Sequence, residues 1–141
     1  MDIYSLNRFI EAQERAYLVA LDEVKCGMKR SHWMWFIFPQ LRGLGKSSMA
    51  YTYGIAGLDE ARAYLAHPIL SARLIEICEA LLEQKTKKPK DIFGYVDAMK
   101  LRSSMTLFII VSEDDSVFHK VLNQFYNGQM DERTIELINK Q

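Results

Sequence analysis

The segment 31–47, SHWMWFIFPQLRGLGKS, combines residue types that a hydrophobic core does not require. It holds both tryptophans of the chain, a histidine, an amide and a lysine, and no acidic residue lies between Glu23 and Asp59. His32 is the best candidate for acid–base chemistry, because imidazole changes charge near neutral pH. Aromatic faces beside an amide and a cation suit a planar or anionic ligand. The segment therefore predicts the wall of a binding site.

In this hypothesis Trp33 and Trp35 form the walls of the site, Gln40 orients the ligand, and Lys46 binds an anionic group. The rings of 33–38 cannot all face one way on a helix, so they either line a cleft or are buried between helices. The same residue types also occur at the centres of protein interfaces. The sequence leaves all three alternatives open.

The residues Gly43–Ser47, GLGKS, are similar to part of a nucleotide phosphate loop. That motif needs a further glycine five residues before its Gly-Lys pair, and Gln40 stands there. A Walker-type site is therefore disfavoured. Two glycines and Lys46 precede a helix start that we expect at Ser47 or Ser48. These residues either bind an anion through backbone amides and the lysine, or form a simple turn between helices.

A second segment, 100–108, has the sequence KLRSSMTLF. On a helix, Lys100, Ser103 and Ser104 share one face, and Arg102 and Met105 are neighbours. Cations and hydroxyls are costly to bury without partners, so they either bind an anionic ligand or extend outwards and pair with Asp97 or Asp91. We predict that segments 31–47 and 100–106 border one pocket.

Metal and thiol chemistry have little support in the sequence. The three histidines form no i, i+4 pair and no HExxH motif, so we expect no metal site and no cofactor. Cys26 and Cys78 are too few and too far apart for a metal knuckle or a CxxC pair. Each lies in a helical pattern, which favours a buried free thiol.

Most of the chain shows helical periodicity. Apolar residues recur at three- and four-residue steps over 6–24, with Ser5 or Asn7 as a cap and Gly27 as the end of the helix. Gln13 falls on this apolar stripe, so its amide must either find buried partners or point into a pocket.

Further helices are predicted after Gly57, where two acids follow in the first turn, and after His67-Pro68. Residues 95–111 are helix-permissive, although their end, LFIIVS, also suits a buried strand. Two more helices begin near Asp114 or Asp115 and at Asp131. The pattern predicts an all-α fold of six or seven helices in one domain spanning 1–141.

Composition limits the class of protein. The 141 residues include 18 basic and 18 acidic ones, which gives no global field to attract nucleic acid or anionic membrane. The longest apolar run, Trp33–Phe38, cannot span a bilayer, and the start of the chain has no signal-peptide layout. We therefore expect a cytoplasmic monomer or weak homo-oligomer.

The segments HWMWFIFPQL, GLGKSSMA, YLAHP and KLRSSMTLF resemble those of the bacterial family of unknown function numbered eighteen-ten, which includes a mycobacterial protein of known structure. The resemblance runs from about Leu6 to Leu137. It implies a compact, mainly helical single domain with no established activity. Members are often labelled calpastatin, a long disordered inhibitor, and this apolar-rich chain does not resemble such a polypeptide. The resemblance supports a site shared by the two segments and assigns no roles.

We hypothesise that the protein binds a small anionic or nucleotide-like ligand, with His32 as the acid–base group if the protein is an enzyme. The alternative is a protein-interaction module that uses the aromatic segment 32–40. A third interpretation places residues 33–38 in the core and the functional surface elsewhere.

Overall fold

In the computed structural model, which describes residues 2–141, the chain forms eight helices. They are α1 (Asn7–Lys25), α2 (Met34–Ile37), α3 (Ser48–Tyr53), α4 (Leu58–Ala66), α5 (Pro68–Leu82), α6 (Pro89–Ile110), α7 (Val117–Tyr126) and α8 (Glu132–Asn139). The β-pairing within these residues is limited to one isolated parallel bridge between Leu41 and Ile55. The all-α prediction is confirmed, and the predicted number of six or seven helices was too low.

The helix count was wrong because α2 is a single turn inside the aromatic segment. Four residues are too few to show a 3.6-residue period, and Pro39 follows directly after the C-cap Phe38. The next helix, α3, begins where the sequence predicted. Its N-cap Ser47 accepts a hydrogen bond from the amide of Ala50 at 3.1 Å.

Helix α6 positions the second predicted segment. It contains a kink at Gly94, whose φ of 80° lies in the left-handed region, so the regular helix that presents Lys100 restarts at Tyr95. The strand alternative for LFIIVS was wrong, since residues 107–110 continue the helix. Leu107 and Phe108 are fully buried there.

The ends of α1 only partly follow the prediction. Neither Ser5 nor Asn7 caps the helix; instead the carboxylate of Asp2 accepts hydrogen bonds from the amides of Leu6 and Asn7 at 2.7 and 2.8 Å. At the other end Gly27 adopts a φ of 76°, which confirms it as the stop.

The two cysteines have different environments. Cys78 is buried on α5, as the helical pattern predicted, whereas Cys26 is exposed, so a buried thiol was the wrong prediction for that position. Cys26 is the C-cap of α1, where the chain already turns away from the apolar stripe.

One hydrophobic core joins the helices. Helix α1 packs against α2 and α5, α5 packs against α7, and α6 packs against α7 and α8. The rings of Trp33, Phe38 and Phe93 cluster with centroids 6.0–6.2 Å apart. The aromatic segment therefore lies between α1 and the start of α6.

None of the helices within residues 2–141 combines the length and hydropathy that crossing a membrane requires.

Candidate functional site

A buried carboxylate fixes the loop that carries His32. Glu23, only 8% exposed, accepts hydrogen bonds from the amides of Arg30 and Ser31 at 2.8 and 3.0 Å. It also accepts bonds from the Ser31 hydroxyl at 2.6 Å and from the Trp33 indole at 2.9 Å. Four donors on one side chain hold the backbone on both sides of His32, whose own ring is exposed.

These hydrogen bonds decide the protonation state of Glu23. Burial alone would raise its pKa, but the donors of Ser31, Arg30 and Trp33 outweigh that effect and lower the pKa to about 2. The carboxylate therefore stays ionised at neutral pH without a salt bridge to any of residues 2–141. Its role is to position the loop, because no acid–base step near neutral pH suits such a group.

His32 borders a pocket of about 320 Å³, here called the histidine pocket. Its lining brings together the aromatic segment, the start of α3 and one face of α6. The lining residues are Lys29, His32, Trp33, Met34, Trp35, Ser47, Met49, Asp97 and Lys100.

Asp97 bridges the two lysines of the histidine pocket. One of its oxygens lies 2.9 Å from Lys29 Nζ and the other lies 3.2 Å from Lys100 Nζ. The Lys29 side chain is 8% exposed and that of Lys100 is 28% exposed, so Lys100 is the more accessible cation. Of the alternatives for the cations of the second segment, pairing with Asp97 is present for Lys100 but not for Arg102.

The tryptophans contribute less open surface than a stacking site would need. Trp33 is 1% exposed and Trp35 is 8% exposed. The ammonium of Lys29 lies 5.0 Å from the Trp33 ring, and that of Lys100 lies 5.4 Å from the Trp35 ring. The indoles thus hold the two lysines in place, and their faces are largely covered.

A second pocket, of about 170 Å³, lies between the segments 31–47 and 100–106, and we call it the glutamine pocket. It shares Lys100 with the histidine pocket. Its lining residues are Gln40, Leu44, Val96, Met99, Lys100, Arg102, Ser103, Asp131 and Arg133. Gln40 is 2% exposed, and its Nε2 group has no hydrogen-bond partner among residues 2–141.

Arg102 and Ser103 border the glutamine pocket, but their polar groups already have partners. Arg102 donates from Nε to the carbonyl of Gln129 and from Nη2 to that of Met130, each at 2.8 Å. Ser103 donates to Asp131 Oδ2 at 3.0 Å. These hydrogen bonds connect the α7–α8 loop to α6. Arg102 and Ser103 therefore stabilise one side of the glutamine pocket.

The structure places every predicted site residue except Lys46 on one of the two pockets. Lys46 is exposed and lines neither. Its neighbour Gly45 packs closely: a Cβ there would lie 2.9 Å from both Trp35 and Ala50. The glycine is needed for this close approach of the backbone to the indole.

Sequence reasoning missed three residues of this region. Lys29 could have been found, because it belongs to the basic stretch that contains no acidic residue. The sequence around Arg133 gives no such indication, because that residue lies far from both predicted segments along the chain. Glu23 looked like an ordinary residue of α1. Its four donors become visible only when the loop after α1 folds back over it.

Two larger pockets, of about 470 and 440 Å³, both border Glu60, and Arg8 lines the smaller of the two. Arg8 uses all five of its donor hydrogens on Glu60 and on the carbonyls of Tyr4, Ser5, Thr52 and Gly54. Arg8 therefore keeps no free donor for a ligand in the smaller of these two pockets. The glutamine pocket has three cationic lining residues, against one and two in these larger pockets.

A family model and a solved structure are similar to this chain over nearly its whole length. The family model described as "Protein of unknown function (DUF1810)" matches residues 3–138. The crystal structure at 1.38 Å of the conserved hypothetical protein Rv1873 from Mycobacterium tuberculosis is similar, with 43% sequence identity and a TM-score of 0.94. The match covers 96% of this chain and 97% of that one. No curated protein matches the chain.

Proposed function

The chain belongs to the DUF1810 family, as its four sequence segments had indicated, and we propose that it binds a small anionic molecule at Lys100, between the histidine and glutamine pockets. The observation that carries this proposal is the cationic lining of the glutamine pocket, and the unpartnered amide of Gln40 adds to it. A buried donor left without an acceptor costs about 1–3 kcal/mol, and folded proteins contain few of them. A ligand oxygen would satisfy it only if the Gln40 side chain turned its buried Nε2 group towards the glutamine pocket.

The charges around the glutamine pocket favour an anion. Lys100 and Arg102 border it together with Arg133, against the single carboxylate of Asp131. Arg133 is exposed and makes no ion pair with any other described residue, so its guanidinium is available to a ligand. Arginine and lysine beside a buried amide donor are groups that bind carboxylate or phosphate.

The histidine pocket would hold the remainder of a larger ligand. Lys29 and Lys100 share one carboxylate, which leaves a formal charge of about +1 before His32 is counted. His32 stands at the rim with its ring exposed. If the bound molecule is chemically transformed, His32 is the group in reach to donate or accept a proton.

The alternative, an interaction module built on residues 32–40, has less support. Residues 33–40 are all buried, and His32 is the one exposed member of that segment. An interface needs exposed apolar area, which these rings do not provide. The binding proposal does not depend on exposed rings, because its main contacts are polar.

The test is a binding screen with inorganic phosphate, pyrophosphate, short carboxylates and nucleotides, read as a shift in melting temperature and confirmed by calorimetry. A ligand at one hundred times its dissociation constant adds about 2.7 kcal/mol to the stability of the protein. Lys100→Met keeps the apolar stem over Trp35 and removes the charge.

We expect Lys100→Met to weaken binding of any hit at least tenfold, which is about 1.4 kcal/mol. Lys85→Met, at an exposed position that lines neither pocket, is the matched control and should leave binding unchanged. A screen without hits, or hits that bind Lys100→Met as tightly as the wild type, would overturn the proposal.

A further inference from the structure

The positive charge of the candidate site is concentrated in its smaller pocket. The glutamine pocket, of about 170 Å³, is bordered by Lys100, Arg102 and Arg133 and by the carboxylate of Asp131. Three cations against one carboxylate leave a formal charge of +2 around this volume. A ligand group that balances this charge carries two negative charges.

Contacts within the chain do not cancel this charge. Arg102 donates to two backbone carbonyls, which are neutral, so its guanidinium keeps its full charge. Arg133 is exposed and forms no ion pair with another described residue. Asp131 forms none either; its Oδ2 accepts hydrogen bonds from the Ser103 hydroxyl and, as the N-cap of α8, from the amide of Thr134. The carboxylate is therefore held by the cap of α8, and the cations beside it stay available.

The size of the glutamine pocket favours one compact group that carries both charges. Its volume corresponds to roughly six water molecules. A phosphate monoester has a charge of about −1.5 to −2 at pH 7 and offers three strong acceptor oxygens around a single phosphorus. Lysine and arginine are the side chains that bind such a group.

The histidine pocket suits the uncharged part of the same molecule. It is larger, at about 320 Å³, and it shares Lys100 with the glutamine pocket. Lys29 and Asp97 form an ion pair at 2.9 Å, so they add no net charge of their own. Because the tryptophan faces are covered, much of the accessible lining is polar and includes Ser47, and Met49 adds a partly exposed thioether. Such a lining favours a hydroxylated body over an aromatic one.

Resting on the proposed function, we propose that the ligand is a phosphate monoester of a small hydroxylated molecule. Its phosphate lies in the glutamine pocket and pairs with Lys100 and Arg133, next to the charge of Arg102. Its organic part passes Lys100 into the histidine pocket. The volume there equals roughly ten water molecules, which is about the size of a pentose and too small for a nucleoside.

The phosphate is tested by calorimetric titration at about pH 8 and low ionic strength. Methyl phosphate is then a dianion, because its second pKa is about 6, whereas methyl sulfate has the same shape and a single charge. Methyl phosphate should bind about tenfold more tightly than methyl sulfate and than butyrate. It should also bind more tightly than malonate, whose two charges lie on separate carboxylates.

Arg133→Met removes one cation of the glutamine pocket at an exposed position and should weaken methyl phosphate binding about fivefold or more. Arg15→Met, at an exposed position of α1 that lines neither pocket, is the matched control and should leave that affinity unchanged.

The organic part is tested with ribose 5-phosphate, which should bind about tenfold more tightly than methyl phosphate, because its additional atoms contact the histidine pocket. Met49→Trp fills part of that pocket and should remove most of this gain. Leu18→Trp, at an apolar residue of α1 that is 77% exposed and lines neither pocket, is the matched control and should keep the gain.

The outcomes separate this inference from the proposed function. If methyl sulfate, butyrate or malonate binds as tightly as methyl phosphate, and all depend on Lys100, the phosphate assignment is overturned and the anion site stands. A ribose 5-phosphate affinity without the gain, or a gain that persists in Met49→Trp, would overturn the position of the organic part. Ribose 5-phosphate binding that survives Lys100→Met would overturn both proposals, and so would the absence of binding by every anion tested.

Discussion

Gln13 and Gln40 are equally buried, at 2% exposed each, yet only Gln13 has partners for its amide nitrogen. Gln13 Nε2 donates to the carbonyl of Phe36 at 2.7 Å and to the hydroxyl of Tyr64 at 3.1 Å, and its oxygen accepts from Arg73 at 3.3 Å. Gln40 Nε2 donates to none of the described residues. The amide of Gln13 is therefore fully paired in the core, whereas that of Gln40 keeps an unpaired nitrogen.

This difference predicts opposite effects of the same substitution. Gln13→Leu should lose about 2–3 kcal/mol of unfolding free energy, because three partner groups lose their hydrogen bonds in a buried site. Gln40→Leu should be neutral or stabilise the protein by up to about 1 kcal/mol, since it removes an unsatisfied donor at similar volume. Urea denaturation of both variants measures the two values. An equal loss in both would mean that Gln40 has a structural role like that of Gln13.

Gln40→Leu should also weaken anion binding while it preserves the fold. The unpaired Gln40 amide would then lower the stability of the free protein and contribute to ligand binding. Such a trade-off is common at functional sites. Titration of this variant with butyrate or phosphate should show at least a fivefold weaker affinity, about 1 kcal/mol for one lost hydrogen bond to a charged group. Unchanged affinity would remove Gln40 from the site.

Glu23 predicts a distinct acid sensitivity. Its pKa falls from an ordinary value of 4.5 to about 2 on folding, so the stability it contributes is fully present above about pH 4.5 and is lost as the pH falls to about 2. Glu23→Gln should cost roughly 3 kcal/mol at pH 7, and the difference from wild type should shrink across that window.

The exposed Glu83→Gln variant is the control for this experiment and should follow the wild type at every pH. Thermal or urea unfolding between pH 7 and pH 2 provides the measurement. A wild-type advantage over Glu23→Gln that stays constant down to pH 2 would contradict the ionised, hydrogen-bonded state of Glu23.

Gly45 gives a test of the packing around Trp35. Gly45→Ala places a methyl group 2.9 Å from the indole and from Ala50, so it should destabilise the protein by about 1–3 kcal/mol and alter tryptophan fluorescence. Lys46→Ala, in the same loop and exposed, should change neither property. Equal and small effects of both substitutions would show that the loop tolerates bulk at Gly45.

Local signals in the sequence were enough to predict most of the helices. The stop at Gly27 and the junction at His67-Pro68 depend on backbone preferences of a few neighbouring residues, and both are confirmed. The ring of His67 even caps α5, accepting from the amide of Ile69 at 3.2 Å. α2 gave no such signal, because its four residues are set by tertiary packing.

The candidate site could be predicted only in part for the same reason. The unusual composition of 31–47 and 100–106 correctly indicated that the segments meet, since Gln40 and Lys100 line one pocket. Whether Arg102 binds a ligand or a loop depends on where the α7–α8 turn lies, and the sequence around Arg102 does not contain that information.

The side-chain amide of Gln40 offers the most direct test of the anion site. In a ¹⁵N–¹H correlation spectrum its NH₂ pair is assigned as the signals that Gln40→Leu removes, and the pair of Gln13 serves as an internal reference. Titration with butyrate should shift the Gln40 pair in a saturable manner, leave the Gln13 pair in place, and lose the effect in Lys100→Met. A Gln40 pair that does not move at saturating butyrate or phosphate, or that moves equally in Lys100→Met, would contradict the account.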